Sequence, residues 1–187
     1  LEALGIVDHI GILGADQNRV MPLMQEVANF HGISLIDQWS NPSKELGEKV
    51  IALWERNGIL PPGADARDRV KQVVLVALNA EGEAIGVNTA YTGELPRLKP
   101  DDAPVSCYFY RMFIQAESRT PHLMRIMTTS AYDVLDAQRP DDGPDVFAII
   151  TDNLGLTRPG MLKLFQRYGY IPKMRLPGGK LLIVKAF

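Results

Sequence analysis

Between Phe113 and Met124 the chain reads FIQAESRTPHLM, an apolar strand passing through a polar turn into a helix. Thr120 and Pro121 make an N-cap and first-turn pair, because proline lacks the N–H that a helix start leaves unbonded anyway. Such a start presents free main-chain N–H groups and the positive end of the helix dipole, which together can hold a phosphate. Ser118, Arg119 and the Thr120 hydroxyl stand beside those amides, and each could contact an anion. The same residues also suit a plain strand-to-helix junction, with Thr120 as cap and Arg119 as a solvated charge.

Arg111 raises a second chemical question, because it is set in the aromatic run YFYRMF. A buried arginine without a partner costs about 3 to 5 kcal/mol. It must therefore meet an internal carboxylate or face a cavity where a substrate carboxylate or phosphate pairs with it. Cys107, two residues after the start of the same strand, reads as a buried, inert thiol. His122 has no second His, Cys or carboxylate at ligand spacing, so it reads as a first-turn surface histidine and no metal is expected. Asp152 and Asn153 end a strand where α/β sheets place ligands, or else form the turn DNLG. No nucleophile elbow, Walker loop or zinc pattern is present.

The bulk numbers narrow the partners. The 187 residues are 46% apolar and 22% charged, which suits a globular chain with a substantial core. A formal charge of -2 gives no footprint for nucleic acid or for an anionic membrane. No apolar run is long enough to span a bilayer, and the opening LEALGIVDHIGILG lacks the basic front of a signal peptide. A single cysteine excludes an intrachain disulfide and points to a reducing, cytoplasmic compartment. Because the first residue is Leu, the chain also reads as a fragment or processed product.

The elements that must position these residues follow from periodicity and punctuation. Asp16 can cap a helix carrying Val20, Leu23, Met24, Val27 and Phe30, with Gly32 as its stop, so residues 1–32 are expected to form a helical extension. A strand at Ile33–Ser40 follows, then a helix opened by Ser43 and closed near Gly58. The stretch PPGADARDR is a loop with one helical turn. KQVVLVALN and EAIGVNTAYTG make a hairpin around Gly82, and a proline-rich loop runs from Glu94 to Pro104. In VSCYFYRMFIQ, Cys107, Phe109, Arg111, Phe113 and Gln115 share one face, while Tyr108, Tyr110, Met112 and Ile114 share the other. Both faces are mostly apolar, as in a central strand covered on each side. A helix bearing Leu123, Ile126, Met127, Ala131, Val134 and Leu135 follows. The strand VFAIITDN, the helix TRPGMLKLFQRYG and a closing hairpin around Pro177, Gly178 and Gly179 complete the chain. The pattern predicts an α/β fold, a mixed and mostly antiparallel central sheet with helices on both faces.

Over residues 33–187 this order, with two local stretches, resembles the GCN5-related N-acetyltransferase superfamily. Ile114 to Arg119 follow the first half of that family's turn, V-x-P-x-x-R-G-x-G-x-G/A. LKLFQRYGYI is similar to its aliphatic-x-aliphatic-Tyr-x-x-x-Gly-Phe segment. The departures are specific. Thr120, His122 and Met124 stand where the family has glycines, and Phe165 stands where it often has a proton-donating tyrosine.

The resemblance implies an acetyltransferase-like domain at 33–187 that passes an acetyl or other acyl group from acetyl-CoA or another acyl-CoA to a small-molecule or peptide amine by direct attack. It implies that Met112, Phe113 and Ile114 flank the thioester, and that Ser118, Arg119, Thr120, Pro121, His122 and Leu123 meet the diphosphate, with Asn153 and Phe165 completing the cofactor side. Glu94 and Glu117 are then the candidate bases, and Arg111 the candidate substrate contact. Two alternatives stand beside this: a catalytically degenerate binding domain on the same scaffold, or an acyltransferase whose donor is acyl carrier protein. Residues 1–32 could cover the acceptor cleft, serve a homodimer interface, or belong to a larger region.

Overall fold

The computed structural model describes residues 25–97, 103–153 and 155–187. Eight strands form one sheet: β1 (Glu26–Phe30), β2 (Ile33–Asp37), β3 (Val73–Leu78), β4 (Ala84–Glu94), β5 (Ser106–Ile114), β6 (Val146–Thr151), β7 (Ile171–Arg175) and β8 (Leu181–Ala186), in the order β1-β2-β3-β4-β5-β6-β8-β7. Among the described strands only β5 and β6 run parallel, and the 17-residue helix α3 (Pro121–Ala137) joins them, as a parallel pair requires a crossover. Helices α1 (Lys44–Asn57) and α2 (Ala66–Arg69) lie between β2 and β3, and α4 (Pro159–Arg167) between β6 and β7. Mixed sheet and helices match the architecture expected from the sequence.

The last part of the expected N-terminal helix is the main correction. Its Val20, Leu23 and Met24 lie outside the described residues, but Val27 and Phe30 belong to strand β1. Helical spacing misled because His31 and Gly32, with φ of 49° and 77°, make a two-residue hairpin loop with positive φ at both positions. Gly32 thus turns the chain back on itself instead of stopping a helix. A register irregularity between Glu26 and Ala28 also breaks the two-residue alternation that would have marked a strand.

The other boundaries follow local chemistry. The Ser43 hydroxyl caps α1 by accepting from the Leu46 N–H, and Gly58 closes it in the left-handed region. The Thr120 hydroxyl caps α3 by accepting from Leu123, with Pro121 in the first turn. The N-cap of α4 is Arg158, which makes no side-chain cap bond.

Alternation along β5 divides the core in two. Tyr110 packs with Ala131, Leu135 and Phe147 under α3, and Ile114 with Leu123 and Met127. Phe113 packs on the other face, with Leu53, Trp54 and Val87 beside α1. Cys107, on that same face, is wholly buried beside Ala148 and Leu182, and burial pushes its thiol up to about 12. It is buried, as the sequence suggested.

A buried polar network crosses β4, β5 and α3. The bulge that leaves Val74 without a β4 partner frees the Leu75 N–H, which donates to Asn88 Oδ1 at 2.8 Å. Asn88 Nδ2 donates to the Met127 carbonyl at 3.1 Å and to the Tyr110 hydroxyl at 3.4 Å. The Thr128 hydroxyl spends its proton on the Met124 carbonyl, so Tyr110 donates to Thr128 across the 3.3 Å contact. Asn88 faces Met112 in the β4–β5 register. The network therefore lies level with Met112 on β5.

Candidate active site

Pairing between β5 and β6 runs from Cys107–Val146 to Tyr110–Ile149 and stops there, whereas β5 continues paired to β4 through Ile114. Beyond Tyr110 the two strands no longer share hydrogen bonds, and β5 has an open edge. The Gln115 N–H bonds the Ile85 carbonyl on β4, so by alternation Phe113 also points its main chain toward β4. Met112 and Ile114 point theirs to the open side. One of those groups is taken: the Arg119 guanidinium donates to the Ile114 carbonyl at 2.8 Å.

The 3-10 turn Ala116–Ser118 carries the chain from this edge into α3. There the N–H of Ser118 bonds Gln115 and that of Arg119 bonds Ala116. The N–H of Leu123 bonds the Thr120 hydroxyl at 3.1 Å, and Pro121 has none. Among the described residues, the amides of Thr120 and His122 have no partner. The helix start therefore offers two open donors. A glycine-lined turn would leave more room around them.

The three side chains in the glycine positions are engaged by the protein itself. Thr120 accepts from Leu123. The His122 ring stacks on Phe30 with centroids 4.1 Å apart and planes at 13°. Met124 packs, partly buried, with the Leu123 and Met127 cluster.

Arg125, one turn into α3, was not singled out by sequence. Its fork meets the His122 ring at 3.3 Å and donates to the Tyr168 hydroxyl at 2.9 Å, linking α3 to the C-terminal end of α4. The only sequence signal for this contact is the three-residue spacing of His122 and Arg125 along one helix face. Phe165 lies edge-on to the Tyr170 ring at 5.6 Å, and Tyr170 is buried with its hydroxyl unpaired.

The remaining sequence candidates divide clearly. Glu117, in the 3-10 turn, is exposed next to the helix start. Glu94 pairs with Ser106 at the far end of β5, about 17 Å along the strand from Arg111 by strand rise. It lies 3.9 Å from Arg97. The fold does not bring Glu94 to the open edge. Asn153 forms a local turn, its Oδ1 accepting from the Gly155 N–H at 2.9 Å. Among the described residues there is no cluster of three metal-ligating side chains.

Arg111 is the first β5 residue past the β6 pairing and is exposed, on the α1 face. No carboxylate among the described residues forms an ion pair with it. Its Nη2 donates to the Tyr91 hydroxyl at 3.4 Å, and it lines a pocket of about 240 Å³ with Arg69, Trp54 and Leu60. Of the two situations the sequence left open, the internal pair is absent among these residues and the cavity is present.

No family model matches the sequence, and no curated protein does. Solved structures do resemble the fold. A GCN5-related N-acetyltransferase from Kribbella flavida superposes with a TM-score of 0.55 at 13% identity, over 83% of this chain and 98% of that one. The ribosomal-protein-S5-alanine acetyltransferase of Vibrio fischeri gives 0.52 at 12% identity, over 85% and 95%. Arabidopsis thaliana Naa50, solved with the bisubstrate analogue CoA-Ac-MVNAL, gives 0.50 at 10% identity, over 83% and 99%. With a sheet that parts after Tyr110 and a helix start at the parting, this chain is built on the fold of the GCN5-related N-acetyltransferases.

Proposed function

We propose that the protein is an N-acyltransferase that moves an acetyl or other acyl group from acyl-CoA to an amine. The observation that carries this reading is the open edge of β5 at Met112, next to the Ile114 carbonyl that Arg119 holds, beside a helix start with two unpaired amides among the described residues. An extended pantetheine arm could take the place of the missing strand partner along that edge. The Thr120 and His122 amides and the helix dipole suit its diphosphate, and Arg119 and Arg125 add positive charge on either side. When bound, acyl-CoA supplies a thioester whose carbonyl carbon an amine attacks directly.

The chain's own part is to position and to move protons. The open main chain of β5 orients the arm, and the aromatic side chains under α3 exclude water from one side. Glu117 is the carboxylate near enough to the helix start to take a proton from the incoming amine. Phe165 has no proton to give, so the leaving thiolate draws one from solvent or from Tyr168, whose hydroxyl stands at the mouth between α3 and α4.

The test is a thermal-shift titration with CoA and acetyl-CoA. Saturation at 100 times the dissociation constant adds about 2.7 kcal/mol, or roughly 5 to 10 °C for a chain of this length. Arg119→Ala should reduce the ligand-induced shift. No shift with either ligand would refute the reading. It would favour the interaction domain or a protein-borne acyl donor, as the capped, glycine-free turn would then suggest.

A further inference from the structure

The pocket beside α1 is lined by two arginines, Arg69 and Arg111. Arg67 and Lys71 flank Arg69 in sequence and are paired, with Glu48 at 3.1 Å and Asp68 at 2.8 Å. Arg69, between them, turns into the pocket with Arg111, and among the described residues neither guanidinium has a carboxylate partner. Burial, and then the neighbouring Arg111 charge, pull Arg69 below its ordinary pKa. Two like charges brought together are unfavourable without a counter-ion, and among the described residues none stands beside them. Between and below them the walls are apolar, formed by Trp54, Leu60 and Phe113, with the Thr89 hydroxyl as a further polar group.

Position gives the pocket its meaning. Arg111 and Phe113 point to the α1 face, while Met112 and Ile114 point to the α3 face of the same strand. The pocket thus adjoins the open β5 edge from the side opposite the α3 helix start. A planar carboxylate can accept from two guanidiniums at once, and an apolar body fits the walls beneath.

We infer that this pocket selects the acceptor as a small amine with an apolar body and a carboxylate, of which an apolar α-amino acid is the simplest example, its carboxylate shared by Arg69 and Arg111. The amine part of this assignment rests on the acyl-transfer reading, whereas the carboxylate part does not. In the transfer, the amine nitrogen bonds the acyl carbon as the carbon–sulfur bond breaks. One amine proton ends on the released thiol, and the products are an N-acyl amino acid and CoA.

The experiment is isothermal titration of the whole chain with N-acetyl-leucine and with its uncharged amide, in the absence of CoA. The acid is expected to bind at least about tenfold more tightly than the amide, the ratio that charge-assisted hydrogen bonds give. Arg69→Met and Arg111→Met should each bring that ratio toward one, with far-UV circular dichroism unchanged. Should either variant fail to fold, the unaltered protein titrated at rising salt gives the same reading, because the preference for the acid should then shrink. Equal binding of acid and amide, or no binding of either up to about 10 mM, a level that leaves less than millimolar affinity, overturns the inference. Inorganic phosphate competing as well as the acid would assign the pair to a phosphate and overturn the carboxylate. A CoA-induced thermal shift without acid preference refutes the pocket alone. Acid preference without a CoA shift refutes acyl transfer from CoA alone.

Discussion

Replacing Tyr170 with phenylalanine should make the protein more stable. Tyr170 is 2% exposed, and its hydroxyl has no hydrogen-bond partner among the described residues. Its ring packs edge-on against Phe147 at 6.0 Å and Phe165 at 5.6 Å, and phenylalanine would keep both contacts. An unsatisfied buried hydroxyl costs about 1 to 3 kcal/mol, because the unfolded chain hydrates it and the folded chain does not. Removing the oxygen should return about 1 kcal/mol or more, raising Tm by roughly 2 to 4 °C per kcal/mol. The gain should grow in alkali. Burial raises the Tyr170 pKa above its ordinary 10.0, so above pH 10 the unfolded state sheds this proton while the folded state keeps it. Stability then falls by about 1.4 kcal/mol per pH unit for each such group, and Tyr170→Phe removes one of them. Urea melts of both proteins at pH 7, 9 and 10.5 measure the difference. A variant less stable than the parent by about 0.5 kcal/mol at pH 7 would refute the reasoning, since it would mean that the hydroxyl is bonded after all.

Asn88→Leu should cost about 2 to 4 kcal/mol, because it strands the Leu75 N–H and removes the donor to Tyr110; a urea midpoint within error of the parent would show the network to be dispensable. For Cys107, burial holds the thiol proton from the ordinary 9.0 up to about 12. Stability due to that thiol is complete below pH 9 and declines by about 1.4 kcal/mol per unit as pH rises through that window. Cys107→Ala should therefore show a shallower decline of unfolding free energy between pH 9 and 10, and iodoacetamide should label the native parent far more slowly than the urea-unfolded chain.

Sequence showed the elements whose causes are local. Ser43, Gly58, Gly82, Thr120 and the Pro177–Gly179 turn each act on their immediate neighbours, and each stands where its chemistry suggested. The N-terminal error has the same origin, since Gly32 ends a helix or turns a hairpin depending on whether His31 also takes positive φ. The candidate site was half legible. Period-two alternation put Arg111 and Phe113 on one face of β5 and Met112 and Ile114 on the other, and the fold keeps that division. Hidden were the contacts made over long separations: Arg69 and Arg111 meeting across 42 positions, Arg125 reaching Tyr168, and Glu94 carried to the wrong end of its strand. Nothing local to Glu94 says which end of β5 will be open, because that depends on where β6 stops pairing.

That stopping point in turn depends on register. A slip of one residue between β4 and β5 would exchange the two faces of the site. Arg111 would then turn under α3, among Ala131, Leu135 and Phe147, and an unpaired guanidinium there costs about 3 to 5 kcal/mol. Asn88 resists the same slip from the neighbouring strand. Its amide is matched to the Leu75 N–H, the Met127 carbonyl and the Tyr110 hydroxyl at once, and no shifted register satisfies all three. The two polar residues that look least suited to a central sheet therefore hold it in the one alignment that leaves Met112 and Ile114 open on one side and Arg111 facing the pocket on the other. Asn88, buried and bonded, acts through satisfaction. Arg111, exposed and with no ion pair among the described residues, acts through the cost of every other place it could go.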